Sequence, residues 1–182
     1  MGHRDIPVLE TKRLSLRSPK AEDYPDFKAT FASYRSRFMG GPLNGYAAWM
    51  LYAAEIGHWE IRGFGMWMVH LKDTGETVGM AGGWSPAKWP EREIAWIIWP
   101  DRAGKGFALE ATHRVRRYFY DENGWTTAVS LTVAGNTRSE TLAKRMGATP
   151  DPQFMHPTFG PMNVWRHQPA DALQDGGMEA YS

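Results

Sequence analysis

A loop that combines two glycines with two cations is the part of the sequence in which chemistry is easiest to recognise. Arg102, Gly104, Lys105 and Gly106 follow the nearly apolar segment 93–99 and precede a segment with helical spacing. The amino end of a helix leaves backbone N–H groups unpaired and carries a partial positive charge, and glycine lets an anion approach the backbone closely. The loop therefore predicts a binding site for phosphate oxygens.

Two common phosphate-binding patterns do not fit this loop. A P-loop requires Ser or Thr after its lysine, whereas Gly106 follows Lys105 here. A dinucleotide-binding loop requires a third glycine, and this sequence has Leu109 at that position. Because short glycine patterns are weak signals when they stand alone, an ordinary strand-to-helix turn with a surface lysine remains the alternative interpretation.

Further motifs extend the pattern in both directions along the chain. Residues 103–108 read Ala-Gly-Lys-Gly-Phe-Ala and continue into Leu-Glu-Ala. An opening segment, 9–17, reads Leu-Glu-Thr-Lys-Arg-Leu-Ser-Leu-Arg, and residues 93–96 read Glu-Ile-Ala-Trp. A late segment begins with Asn-Thr-Arg-Ser at 136–139 and ends with Lys-Arg-Met-Gly-Ala at 144–148.

Together these motifs resemble the GNAT acetyltransferase superfamily. Residues 103–108 are similar to its pyrophosphate-binding loop, Gln/Arg-x-x-Gly-x-Gly/Ala, and the other motifs are similar to its ribosomal-protein N-terminal acetyltransferase branch, the RimJ/RimL type. The resemblance covers about residues 9–166, and four loose motifs in the right order make it specific. It implies a single GNAT-like domain that uses acetyl-CoA (coenzyme A) as its cofactor.

The resemblance also implies a mechanism, in which an amine attacks the acetyl thioester directly. A base must take the proton of the amine, and Glu93, acting through water, is the first candidate, with a solvated strand end as the alternative. Backbone N–H groups around 97–99 would stabilise the oxyanion. Ser139 is the candidate for orienting or protonating the sulfur, unless it is an ordinary helix residue. Asn136 would bind the pantetheine arm and also cap a helix.

The predicted site residues are therefore of two kinds, and no metal ligand is predicted among them. The catalytic candidates are Glu93 and Ser139. The cofactor-binding candidates are Ile97, Ile98, Trp99, Arg102, Ala103, Gly104, Lys105, Gly106, Phe107, Ala108 and Asn136.

Two positions depart from the pattern of the family. Ala103 occupies the first loop position, where Gln or Arg is usual, and Arg102 lies one residue early. Ala143 stands where many members place the tyrosine that protonates the leaving thiolate. These departures leave open a second function class, a non-catalytic acyl-CoA-binding sensor or partner module.

The elements that must position these residues follow from hydrophobic periodicity and breakers. The order is a strand, two helices, three strands, a helix, a strand, a helix and two strands, which predicts an α/β (α+β) domain with a mixed sheet of about seven strands and helices on both faces. Asn44 is expected to cap the second helix. We assign residues 1–168 to the domain and 169–182 to a polar C-terminal tail.

Composition restricts the remaining possibilities. The 182 residues carry a net charge of +1 without a basic block, which argues against nucleic-acid binding. The absence of cysteine excludes a thiol nucleophile. No segment has the length and apolarity of a membrane helix or of a signal peptide, so we expect a cytoplasmic protein that does not bind membranes.

The acceptor stays open at this stage. A protein N-terminus or a small-molecule amine fits the resemblance, and fold-level analogy does not decide between them. Nine tryptophans are present, and an aromatic cleft built from four of them would suit an apolar amine: Trp49, Trp59, Trp84 and Trp89. A homodimer is possible, as in relatives of this type.

Overall fold

One mixed sheet of eight strands forms the centre of the molecule, which a computed structural model describes for residues 5–174. The strands are β1 (Leu9–Glu10), β2 (Leu14–Arg17), β3 (Met66–Leu71), β4 (Thr77–Trp84), β5 (Glu93–Ile98), β6 (Val129–Val133), β7 (Thr149–His156) and β8 (Gly160–Arg166). The helices are α1 (Tyr24–Ala32), α2 (Gly45–Arg62), α3 (Phe107–Asp121), α4 (Thr137–Arg145) and α5 (Ala170–Gln174). Short 3₁₀ turns cover Ala21–Asp23, Tyr34–Met39 and Pro100–Arg102.

The predicted fold class is confirmed. The strand order is β1-β2-β3-β4-β5-β6-β8-β7, and all neighbours are antiparallel except β5 and β6, which are parallel. The predicted seven strands and four main helices are all present, and Asn44 caps α2 by accepting the backbone N–H of Ala47. The eighth strand is β1, which has only two residues and is too short to give an alternating pattern.

Both faces of the sheet carry a hydrophobic core, and successive side chains of β3 alternate between the two. Met66 and Met68 pack on one face with Phe27, Phe31 and Tyr52 of α1 and α2. Trp67 and Val69 pack on the opposite face in a cluster with α3. Within that cluster the rings of Phe119 and Trp125 are stacked with centroids 3.9 Å apart. The sheet is thus held between α1 and α2 on one side and α3 on the other.

The segment predicted as a polar tail begins with α5. The side chain of Leu173 is buried there against the cluster under α3. Residues 175–182 lie outside the described part of the chain. Within residues 5–174, no helix is both long and apolar enough to cross a lipid bilayer.

β4 approaches β5 closely at Gly79. This glycine has a φ of +155°, which L side chains rarely adopt. A Cβ atom at this position would overlap the carbonyl oxygen of Ile97 and lie 2.9 Å from the Cα of Ile98. Glycine is therefore required to keep β5 in its observed position beside β4.

We expect Gly79→Ala to lower the free energy of unfolding by about 1–3 kcal/mol, because the added methyl group must displace the β5 backbone. Urea denaturation measures this change. The matched control is Gly57→Ala in α2, where no atom lies within 4 Å of the added Cβ. That control should gain about 0.5–1 kcal/mol from its helix propensity. Equal stability of the Gly79→Ala variant and the wild-type protein would contradict this account of β4.

Candidate active site

β5 and β6 separate immediately after they meet, which opens the sheet at its centre. Their register contains a single pair, Glu93 with Val129, whereas β4 and β5 pair over six residues. Beyond that pair, side chains replace the missing backbone bonds. Leu131 donates its N–H to Oε1 of Glu93 at 2.9 Å, and the hydroxyl of Ser130 donates to the carbonyl oxygen of Ile94 at 2.6 Å. The opening is therefore stabilised from both strands.

Backbone N–H groups of β5 face this opening. Trp99 donates its N–H to the carbonyl oxygen of Val78 at 2.9 Å, and the register pairs Ile98 with Gly79 and Trp96 with Ala81. Successive N–H groups of a strand point alternately to its two neighbours. The N–H groups of Trp96 and Ile98 therefore point toward β6, from which β5 has already separated.

The glycine loop joins β5 to α3 with two residues in the left-handed region. Gly104 has φ +83° and Gly106, the N-cap residue of α3, has φ +81°. A Cβ at Gly104 would meet no atom within 4 Å, so the loop surface is open at this position. The unpaired amides at the start of α3 thus face accessible space, as an anion-binding loop requires.

An ion pair fixes this loop to the turn between β1 and β2. The guanidinium of Arg13 donates to Glu110 Oε2 at 2.6 Å and to the carbonyl oxygen of Lys105 at 3.1 Å. The other oxygen of Glu110 accepts the hydroxyl of Thr11 at 2.7 Å. Thr11, Arg13 and Glu110 were not among the predicted site residues, although all three lie within the motifs of the sequence.

A cleft of about 760 Å³ runs along the loop, the end of β5 and the start of α4. Ten of the thirteen predicted site residues line it: Ile97, Ile98, Arg102, Ala103, Gly104, Gly106, Phe107, Ala108, Asn136 and Ser139. Five arginines line it as well: Arg35, Arg37, Arg102, Arg138 and Arg145. No acidic side chain is among the described residues of the lining. The positive charge and the free amides of the loop fit a diphosphate ligand with a long uncharged arm.

Three predicted site residues lie away from the cleft. The side chain of Trp99 is buried in the core under α1 and α2, and its N–H is used in the sheet. Lys105 is exposed, and Arg13 binds its carbonyl oxygen. Glu93 is buried at the other end of β5, and its second oxygen accepts the indole N–H of Trp89 at 2.8 Å.

The start of α4 differs from an ordinary capped helix. Asn136 occupies the N-cap position, but its side chain makes no capping hydrogen bond, in contrast to Asn44. Its amide group is half-buried on the cleft wall. Ala143 is fully buried against Ala148 and Trp165, with Trp96 packed on the same cluster. The space that a tyrosine would need at position 143 is thus filled by these side chains.

A second buried carboxyl, which was not among the predicted site residues, lies near Glu93. Glu55 of α2 is 4% exposed, whereas its apolar neighbour Ile56 is 40% exposed. Burial, and then the charge of Glu93, raise the pKa of Glu55 to about 8. Burial raises the pKa of Glu93 to about 7, against the lowering effect of the N–H donors from Leu131 and Trp89.

The aromatic cleft expected from four tryptophans does not form. Trp59 is buried in the core and donates its indole N–H to the carbonyl oxygen of Met66, whereas Trp49 is 55% exposed on the outer side of α2. Trp84 stacks on His58, and Trp89 is bonded to Glu93. Their spacing in sequence could not show that α2 turns Trp49 and Trp59 in different directions. Within residues 5–174, no three side chains of His, Asp and Glu are grouped so that they could hold a metal ion.

Comparison with known proteins agrees with this geometry. The sequence profile of the acetyltransferase (GNAT) domain matches residues 13–149. An acetyltransferase structure from Agrobacterium tumefaciens str. C58 is 30% identical and superimposes with a TM-score of 0.84 over 92% of this chain and 98% of its own. The chain therefore belongs to the GNAT acetyltransferase family, as its motifs predicted. It is an N-acetyltransferase, and acetyl-CoA is its acetyl donor.

More distant structures share the fold. RimL, a ribosomal L7/L12 alpha-N-protein acetyltransferase in complex with coenzyme A, is 11% identical, with a TM-score of 0.70 over 88% of this chain and 97% of its own. A ribosomal-protein-S5-alanine acetyltransferase from Vibrio fischeri is 12% identical, with a TM-score of 0.70 over 91% and 98% of the two chains.

We expect Gly104→Trp to weaken acetyl-CoA binding by roughly 10- to 100-fold, because its side chain obstructs charge-assisted hydrogen bonds worth about 1.5–3 kcal/mol each. Calorimetric titration measures the affinity. Gly124→Trp is the matched control, since Gly124 also has a positive φ and open space around its Cβ but lies beyond the far end of α3. Unchanged affinity in Gly104→Trp would show that the phosphates bind elsewhere.

Proposed function

We propose that this enzyme acetylates a primary amine by direct attack on the thioester, with Glu93 as the general base. The observation that carries the proposal is the buried carboxylate at the origin of the β5–β6 opening. A base must have a pKa near the working pH, and burial raises the pKa of Glu93 to about 7. Trp89 and Leu131 hold both oxygens of the carboxylate in place. Glu93 therefore takes the ammonium proton through a bound water.

The remaining roles follow the order of residues along β5 and α4. The N–H groups of Trp96 and Ile98 donate to the oxygen at which negative charge develops. Asn136 binds the amides of the pantetheine arm with a side chain that α4 does not use for capping. The loop with Gly104 and Gly106 holds the pyrophosphate. When the tetrahedral intermediate collapses, the C–S bond breaks and coenzyme A leaves as a thiolate. Ser139 on the cleft wall donates its hydroxyl to this sulfur, since no tyrosine stands at position 143.

For the acceptor, we propose the N-terminus of a protein or peptide. The neighbours that act on ribosomal proteins support this choice by their fold. A small-molecule amine with a single positive charge is the second candidate. The five arginines around the cleft disfavour acceptors with several positive charges, such as polyamines, because like charges repel.

We expect Glu93→Gln to lower kcat by roughly 10²- to 10⁴-fold, the usual contribution of a general base, with the Kd of acetyl-CoA unchanged. Mass spectrometry of peptides with free and with blocked N-termini, alongside a polyamine, measures acetyl transfer. Glu91→Gln serves as the control, because Glu91 lies two residues away in an exposed ion pair with Arg166. It should retain activity within about 3-fold, as surface pairs contribute little. Wild-type kcat in Glu93→Gln would exclude Glu93 as the base.

A further inference from the structure

Glu55 of α2 and Glu93 at the start of β5 are both buried on the side of the sheet that α1 and α2 cover. One helical turn to either side of Glu55, Tyr52 and His58 are both buried on the same face of α2. The ring of His58 stacks on Trp84 with centroids 4.7 Å apart, and Trp84 is the cross-strand partner of Glu93. Glu55 is therefore directed toward the same point of the sheet, within reach of the charge of Glu93.

The two carboxyls differ in their hydrogen bonds. Both oxygens of Glu93 accept an N–H, from Leu131 and from Trp89. Among the described residues, Oε2 of Glu55 is buried without a hydrogen-bond partner. Nor does any cation in residues 5–174 form an ion pair with either carboxyl. Two buried negative charges without a cation are unfavourable, so the pair retains one proton.

The neighbouring groups do not supply a positive charge. His58 accepts the backbone N–H of Ser85 at Nε2, so its proton is on Nδ1, which lies 2.6 Å from the carbonyl oxygen of Phe64. Burial lowers the pKa of this ring, which keeps it neutral. The hydroxyl of Tyr52 donates to the carbonyl oxygen of Lys20 at 2.6 Å. The shared proton therefore belongs on one of the two carboxyls, and the two N–H donors favour the ionised form of Glu93.

We propose that Glu55 is a positioning residue for Glu93: it holds the one proton of the pair, so that Glu93 stays ionised and able to receive the proton of the acceptor ammonium. This inference rests on the proposed role of Glu93 as the base. When the N–H bond of the ammonium breaks and an O–H bond forms on Glu93, the pair holds two protons. One of them then passes to water, and the pair again holds one proton.

Infrared spectroscopy tests where the proton is, independently of activity. Between pH 7 and pH 8, where Glu93 is mostly ionised and Glu55 mostly protonated, the wild-type protein should show the carbonyl stretch of a buried protonated carboxyl, and Glu55→Gln should lose most of it. Glu93→Gln should keep the band. As the pH is raised, however, the band should disappear at a lower pH than in the wild type, because the negative charge beside Glu55 is gone. Glu60→Gln, an exposed position on the same helix, is the matched control and should match the wild type.

The pH dependence of kcat/KM tests what the proton does. In the wild-type enzyme, kcat/KM should increase with pH over a wider range than the loss of a single proton would give, because the pair loses its two protons near pH 7 and pH 8. In Glu55→Gln this increase in kcat/KM should follow the loss of a single proton near pH 7. The kcat of this variant at high pH should stay within about 3-fold of the wild type. A purely structural role would lower kcat at every pH without changing the shape of the pH profile.

Two outcomes would overturn the proposal: a carboxyl band of wild-type intensity in Glu55→Gln between pH 7 and pH 8, or a pH profile of kcat/KM in that variant that is as broad as in the wild type. Glu55→Leu, which has a similar volume and no polar atom, provides the infrared test if Glu55→Gln does not fold. If Glu55→Gln loses the band but the wild-type enzyme does not acetylate peptides, the proposed function is contradicted and the assignment of the proton to Glu55 still stands.

Discussion

The separation of β5 from β6 determines how the rest of the molecule must be built. A sheet opened at its centre leaves N–H and C=O groups without strand partners, and buried groups of this kind are costly unless something satisfies them. At the closed end the protein uses its own side chains, Glu93 and Ser130. At the open end the N–H groups of Trp96 and Ile98 face the cleft, where the acetyl group of the donor can accept their hydrogen bonds. We therefore propose that the acetyl donor binds where the sheet is incomplete.

Positively and negatively charged side chains lie at opposite ends of β5. Five arginines surround the cleft at the loop end of β5, where we propose that the phosphates of the donor bind. Two buried carboxyls lie at the start of β5, on the face covered by α2. On the proposed function, an anionic donor and a cationic acceptor would thus meet opposite local charges about six residues apart along one strand, a distance of roughly 20 Å. This arrangement keeps the two substrates in separate parts of the site until their reacting atoms meet.

Local sequence could predict the elements that have a period and the motifs that join them. The order of the strands and helices, the cap at Asn44 and the glycine loop before α3 could all be predicted, because each depends on residues close together in the chain. Glu93 could be singled out as a charge at the start of an apolar strand. The fold class and the family followed from the same features.

Other parts of the site depend on contacts between distant segments. Glu55 lies one residue from Ile56, and only the packing of α2 shows that Glu55 is buried while Ile56 is exposed. The convergence of arginines from the turn Tyr34–Met39, the glycine loop and α4 likewise requires the fold. The prediction that four tryptophans form the wall of a cleft was wrong for the same reason. Helical periodicity gives the spacing of a face but not which face is covered.

The most direct measurement of the central claim is amide hydrogen exchange with and without acetyl-CoA. Our account predicts slower exchange on binding at the N–H groups of Trp96 and Ile98 and in the loop at 104–108. The N–H of Trp99, which is already bonded to Val78, should change little. If binding slows exchange in the loop but not at Trp96 and Ile98, the N–H groups at the open edge of β5 do not bind the acetyl donor. That result would contradict the account.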